Sequence, residues 1–272
     1  MNDLCAEHFS FSQLTLAEQC PYAYYLTRIA RIQPRENAFA QAGSLVHALL
    51  ANWARGDLTA NDLHGLWLAR FDEAVTECFP PYLEAKGYRQ KLRDSVAAYF
   101  RSFDGFSGYE VIGAEQSFSS ALAGEPFVGV IDLILREKQT GAFVLVDHKS
   151  SSLSSFRRSR QAMYRQLLLY SKYLADHYGT FPTMLRFNLF REGIIDEQSF
   201  RAEEYIEAVQ WAEDAIRRMN DRELTDWFEL RPEQFYCTQL CAARGECPYG
   251  CWQNHEKKGE MKNETRSVQP VA

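Results

Sequence analysis

Two acids stand where a strand core should be apolar. Asp132 interrupts Phe127-Val-Gly-Val-Ile-Asp-Leu-Ile-Leu135, and Asp147 follows Phe143-Val-Leu-Val146. A buried carboxylate without a partner costs several kcal/mol, and two of them on neighbouring antiparallel strands repel each other. A divalent cation between them removes both penalties and supplies a function. Lys149 follows Asp147 by two positions, a spacing that puts both on one face of a strand, about 7 Å apart. Two carboxylates, a metal and an ammonium around one cavity suit phosphodiester hydrolysis. The ion would bind a phosphate oxygen and acidify a water, while Lys149 would orient that water and offset charge in the transition state. The competing reading leaves both acids at strand ends in water.

A sheet and its helices must hold these groups. Phe9-Ser-Phe-Ser12 reads as an extended piece, after which Ser12 caps a short helix through Gln19 and Pro21 restarts one carrying Tyr22, Tyr24, Tyr25 and Leu26. Residues 34–42 read as a loop. Apolar residues then recur at helical spacing in Gly43 to Trp53, Leu63 to Phe79 and Gln90 to Phe103. The period changes to strands at Tyr109 to Phe118, Phe127 to Leu135 and Phe143 to Lys149, with turns at Gly124-Glu-Pro126 and Gln139-Thr-Gly141. A helix marked by Met163, Leu167, Tyr170, Leu174 and Tyr178, a strand over Thr183 to Phe190 and a helix from Tyr205 to Met219 complete the pattern. This order predicts an α/β or α+β fold around one central sheet. The expected divisions are a helical lobe over 1–105, a core over 106–230, a Cys-rich segment over 231–254 and a polar, disordered tail over 255–272.

The chain of 272 residues is 46% apolar and 24% charged, the composition of a folded domain or two rather than of a disordered chain. No run of 18 apolar residues exists to span a membrane, and the first residues carry no signal-peptide pattern, so the expected location is the cytoplasm. The net charge of −6 is unevenly distributed. Lys149 to Lys172 holds six basic residues (Lys149, Arg157, Arg158, Arg160, Arg165, Lys172) and no acid, whereas Glu192 to Glu233 holds 13 acids and five bases. A basic face on an acidic body suits a polyanion held locally; a solvated helix face is the alternative. Tyr22, Tyr24 and Tyr25 with Arg28, Arg31 and Arg35 offer a stacking surface for single strands or, equally, helix packing. No G-x-x-x-x-G-K-[ST] occurs, so the chain carries no P-loop motor. Of seven cysteines, Cys237, Cys241, Cys247 and Cys251 form C-x3-C-x5-C-x3-C. In a reducing compartment this points to a metal or an iron–sulfur cluster rather than to disulfides.

Taken together, Gly129-Val-Ile-Asp132, Val146-Asp-His-Lys149 and Gln166-x-x-x-Tyr170 resemble the PD-(D/E)XK nuclease superfamily, and within it the RecB-like exonuclease branch with its AddB-type and CRISPR-associated members. Phe9-Ser-Phe-Ser-Gln-Leu14 with Cys20-Pro21-Tyr22 is similar to that branch's N-terminal box, Gly43-Ser-Leu-Val-His47 to its G-x-x-x-H helix, and Val111-Ile-Gly-Ala-Glu115 to the acid-bearing strand before Asp132. The resemblance spans residues 9 to about 251. It implies a restriction-endonuclease-like mixed sheet flanked by helices, and a metal-dependent DNase acting on single strands or DNA ends with Mg2+ or Mn2+. His47, Asp132, Asp147 and the His148 carbonyl would bind the metal, with Glu115 a weaker candidate acting through water. Lys149 would be the catalytic lysine. Gln166 and Tyr170, one turn apart, would hold the DNA backbone, beside the basic Arg157, Arg158 and Arg160. It also implies a 4Fe-4S clasp on Cys20, Cys237, Cys241 and Cys247. The family's C-x2-C is one residue longer here, which makes Cys251 a possible substitute for Cys237, and a local zinc site on Cys237, Cys241, Cys247 and Cys251 is the alternative. A helicase or a CRISPR integrase would be the partner. An inactive DNA-binding subunit is the rival reading.

Overall fold

The computed structural model describes residues 7–250. Cys251 and the expected tail lie outside the described residues, as does Cys5. The chain opens with a two-residue strand β1 (Phe9–Ser10) and runs directly into helix α1 (Phe11–Gln19). Ser10, not Ser12, is the cap: its backbone is extended and its Oγ accepts the Gln13 N–H at 3.3 Å. The cap moves two residues forward because Phe9 enters the sheet and is buried there. Pro21 starts helix α2 (Pro21–Tyr24), which passes into a π-helical turn over Tyr25–Ile29.

Four helices follow: α3 (Ala38–Ala54), α4 (Ala60–Ala74), the short α5 (Pro81–Glu84) and α6 (Tyr88–Ser102). The expected loop over 34–42 closes at Asn37, whose side chain accepts the Ala40 N–H and caps α3. Helices α3, α4 and α6 bury Val46, Leu49, Trp67, Phe71, Val96 and Phe100 in a core of their own. Ahead of α3, Phe9, Leu14, Ala17 and Tyr24 pack in the core of the sheet, whereas Cys20, Ala23 and Leu26 pack with Cys241, Ala243 and Cys247.

The sheet is mixed, as expected. Strands β2 (Tyr109–Leu122) and β3 (Glu125–Glu137) form a long antiparallel hairpin, and β4 (Phe143–His148) runs antiparallel to β3. Helix α7 (Leu153–Tyr178) carries the chain to β5 (Met184–Leu189), parallel to β4, and β6 (Ile194–Ser199) pairs antiparallel at the edge. Helix α8 (Ala202–Asn220) packs with α1 and α7 over one face. Strand β6 escapes the sequence pattern because it is a polar edge strand, Ile-Ile-Asp-Glu-Gln-Ser, with no apolar face to bury.

Two features of β3 shape the site. Strand β2 follows one edge throughout, but the other edge is shared: β1 pairs with Phe127 and Val128, and β4 pairs with Leu133 to Arg136. Residues 129–132 face a gap between them. The strand also changes phase there. Phe127 and Ile131 point into the core under α7 and α8, whereas Leu133 and Leu135, of the same parity, point to the opposite face. Glu115, which the register sets opposite Asp132, has a positive φ of 49°. A non-glycine residue held in that region is strained, and such irregularities re-aim side chains.

Candidate active site

Helix α3, strands β2, β3 and β4 and the turn after β4 each bring one group to this gap. Gly43 lies against that turn, with Ser150 Oγ 3.5 Å from where a Cβ would stand. One helical turn further on, His47 reaches the acids. Its Nδ1 is 3.5 Å from Asp132 Oδ2 and 4.0 Å from Glu115 Oε1. His47, Glu115 and Asp132 place one donor atom each within 4.8 Å of one another. Glu115 is therefore a member of the site, stronger than its sequence suggests, because the kink at its backbone turns it toward Asp132.

Strand β4 separates from β3 beyond the Leu133–Val146 pair. The next peptide turns to the site: the His148 N–H donates to Asp132 Oδ2 at 2.8 Å, and its carbonyl lies 2.9 Å from His47 Nε2. Asp147 is 4% exposed. Lys149 Nζ stands 2.7 Å from Asp147 Oδ2, on the shared face that the two-residue spacing requires, and donates to Gln166 Oε1 at 3.1 Å. Gln166 sits one helical turn before Tyr170 on α7 and offsets part of the effect of burial on that phenol.

Electrostatics follow from this crowding. Burial pushes the Asp132 carboxyl well above the usual carboxylate range, and the Asp147 charge adds to it, against the His148 N–H. Burial lowers the His47 pKa, which keeps the imidazole neutral and able to ligate at neutral pH. Burial also raises Tyr170, to about 12, so its phenol stays protonated. Three clustered acids, with Asp132 held above its normal pKa, around a neutral histidine form a site suited to a divalent cation.

The sequence profile of the PD-(D/E)XK nuclease superfamily matches residues 8–248. The chain belongs to that superfamily. No curated protein matches it in sequence. A crystal structure from Eubacterium rectale, named as a candidate exonuclease, superposes with a TM-score of 0.49 at 15% identity, over 96% of this chain and 91% of that one. The assignment rests on the family match.

Enzymes of the PD-(D/E)XK superfamily are hydrolases that use divalent metals, and the acids, histidine and lysine gathered here fit that use. Some expected contacts differ. Arg160 lies against strand β6: its guanidinium bonds Asp196 Oδ1 at 2.9 Å, Gln198 Oε1 and the Glu197 carbonyl. Other bases of the same stretch are engaged too, Arg165 over the Trp211 ring and Lys172 with Asp176. Arg157 and Arg158 remain exposed. Tyr170 is 6% exposed and packs edge-on against Phe118. It also explains Gly129. A Cβ there would lie 2.6 Å from Phe118 and 2.8 Å from Tyr170, closer than real Cβ contacts. Gly129→Ala is expected to lower stability by about 1–3 kcal/mol, as overpacking does, and to reduce turnover by displacing Gln166. Urea melts beside single-turnover rates check both.

At the far end of α1, Cys20, Cys241 and Cys247 are buried together against Ala23, Leu26 and Ala243, and Cys237 is half-buried beside them. All four are free thiols. Burial pushes Cys241 up to about 11 and raises Cys237, and as thiolates the four would repel one another. No helix among the described residues is long and apolar enough to cross a membrane.

Proposed function

We propose that this protein is a metal-dependent deoxyribonuclease of the RecB-like kind, acting as an exonuclease on single-stranded DNA or DNA ends. The observation that carries the reading is the convergence of His47, Glu115, Asp132, Asp147 and Lys149 where β4 splays from β3. His47, Asp132 and Asp147 would hold Mg2+ or Mn2+, with the His148 carbonyl and Glu115 completing the set. When bound, the ion polarises the scissile phosphate and lowers the pKa of a water. Lys149, held between Asp147 and Gln166, orients the attacking water and offsets negative charge as the phosphate is attacked. An open groove lined by Gly43, Ser44, His47, Arg55, Glu115 and Ser150 gives the DNA backbone access. Digestion of end-labelled and circular single strands with Mg2+, Mn2+ or EDTA tests this. Metal-dependent loss of the linear strand with the circle intact supports an exonuclease; cleavage of neither, in any metal, overturns the reading.

Arg157 and Arg158 flank the catalytic strand and are the bases of the stretch free to meet phosphate. Replacing both with Gln should weaken single-strand binding and flatten the slope of log K against log salt by roughly 1 to 1.5, for two released phosphate contacts. An unchanged slope returns them to a solvated helix face.

Cys20, Cys237, Cys241 and Cys247 would hold a 4Fe-4S cluster. What supports the reading is that Cys20, from the start of the chain, is buried in one group with Cys241 and Cys247 from its far end; a cluster would take one thiolate on each iron. The sequence has no P-loop motif, so ATP-driven unwinding would need a helicase partner; the integrase of a CRISPR adaptation complex is the other partner proposed.

A further inference from the structure

Asn188 has no part in the chemistry above, yet it is fully buried, between Phe187 and Leu189 on β5. A buried amide is costly unless it is bonded. Its Nδ2 lies 2.7 Å from the Tyr99 hydroxyl of helix α6 and 2.9 Å from His148 Nδ1. Its backbone carbonyl accepts the Lys149 N–H at 2.9 Å. The His148 ring, 4% exposed, is thus held from behind by a strand residue that is itself held by the helical lobe. In front, the two peptide groups of His148 bond Asp132 and His47. Rotation of the His148 backbone would disturb both side chains at once.

We propose that Tyr99, Asn188 and His148 are positioning residues that set the metal affinity of the site, acting through the peptide groups of His148. This rests on the metal-site reading given above. The chain of contacts is continuous, from the lobe through β5 and the end of β4 to the acids. It holds the lobe and the sheet in register where α3 presents His47 to strands β2 and β3.

The test is Mn2+ binding to the full chain, followed by calorimetry and by electron paramagnetic resonance, in wild type, Asn188→Leu, His148→Phe and the double variant, with Asp132→Ala as control. Leu and Phe keep the volume and the backbone bonds but remove the polar contact. Each single variant should bind Mn2+ about 10- to 100-fold more weakly, the range for residues that orient ligands. The double variant should be no weaker than the worse single one, because both interrupt the same chain. Turnover should recover at saturating Mn2+, and circular dichroism should show each variant folded before metal is added, which separates a weaker site from a destabilised fold that metal would also rescue. Native affinity in folded Asn188→Leu, or fully additive losses, overturns the proposal. Should Asn188→Leu not fold, Tyr99→Phe removes a single hydroxyl: a loss of about threefold or more supports the proposal and unchanged affinity overturns it. Native affinity in Asn188→Leu beside lost affinity in Asp132→Ala sinks the positioning role alone. No Mn2+ binding by wild type sinks the metal site with it.

Discussion

Asp132→Asn is expected to abolish cleavage and, in the same protein, to raise the stability of the metal-free fold. Burial and the neighbouring Asp147 hold the Asp132 carboxyl above its unfolded pKa. The metal-free protein therefore gains stability as pH falls through the folded value, and at neutral pH the charge works against the fold. Asparagine removes that charge and keeps an oxygen for the His148 N–H, which now donates to Asp132 Oδ2. The melting temperature should rise by about 2–4 °C for each kcal/mol of relieved repulsion. Turnover should fall by roughly 10³-fold or more, the scale of a lost metal ligand. Mn2+ should raise the melting temperature of wild type and leave that of the variant unmoved. In wild type, metal affinity should weaken as pH drops, because protons compete for the same carboxylate. Scanning calorimetry with and without Mn2+, beside end-labelled digestion, decides the matter. A variant that cleaves normally, or melts lower than wild type without metal, shows that Asp132 is not the strained ligand described.

Cys20→Ala is the second large effect. Anaerobically purified wild type should be brown and hold about four irons per chain, and the variant should be colourless. Cys20 lies 217 positions before Cys237, so its loss opens a very long loop, and residues 232–250 should become sensitive to protease. The effect should spread to α3. Arg244 Nη1 donates to the Arg35 carbonyl at 2.7 Å, Arg244 Nη2 donates to the Glu36 carbonyl, and Arg35 N–H donates to the Ala242 carbonyl at 2.9 Å. Asn37 caps α3 with its oxygen and reaches the Leu240 carbonyl with its nitrogen. Cys251→Ala should leave the colour in place. Colourless wild type with one zinc, indifferent to Cys20→Ala, rejects the cluster and leaves the nuclease site standing.

The core acids were legible because strands advertise burial. An acid inside Val-Gly-Val-Ile-Asp-Leu-Ile-Leu calls for a partner or a site unless the strand opens to water there. Lys149 followed from the two-residue period. Glu115 is legible as an acid on the strand before Asp132, but its closeness to His47 is not, since it goes with a left-handed backbone at a non-glycine residue that no local pattern announces. Asn188 was invisible for a related reason: one polar residue in Arg-Phe-Asn-Leu gains meaning only once Tyr99 and His148 lie beside it. Arg160 misled in the opposite direction. Its neighbours in sequence are basic, while its neighbours in space are Asp196 and Gln198 on an edge strand too polar to be seen. The place of Phe9 and Ser10 in the sheet is not legible, because they form only two residues of strand and their pairing with Phe127 and Val128 is entirely non-local.

The bond from Asn37 to Leu240 spans 203 residues, and that distance has a meaning in time. At about 5–20 residues per second of synthesis, the segment that secures the start of α3 leaves the ribosome roughly 10–40 s after the helix it secures. A nascent chain can thus hold every acid of the site, and Lys149 too, while the helix bearing His47 still lacks its final tether. A chain interrupted before residue 240 would carry those acids and Lys149 with the start of α3 still untied.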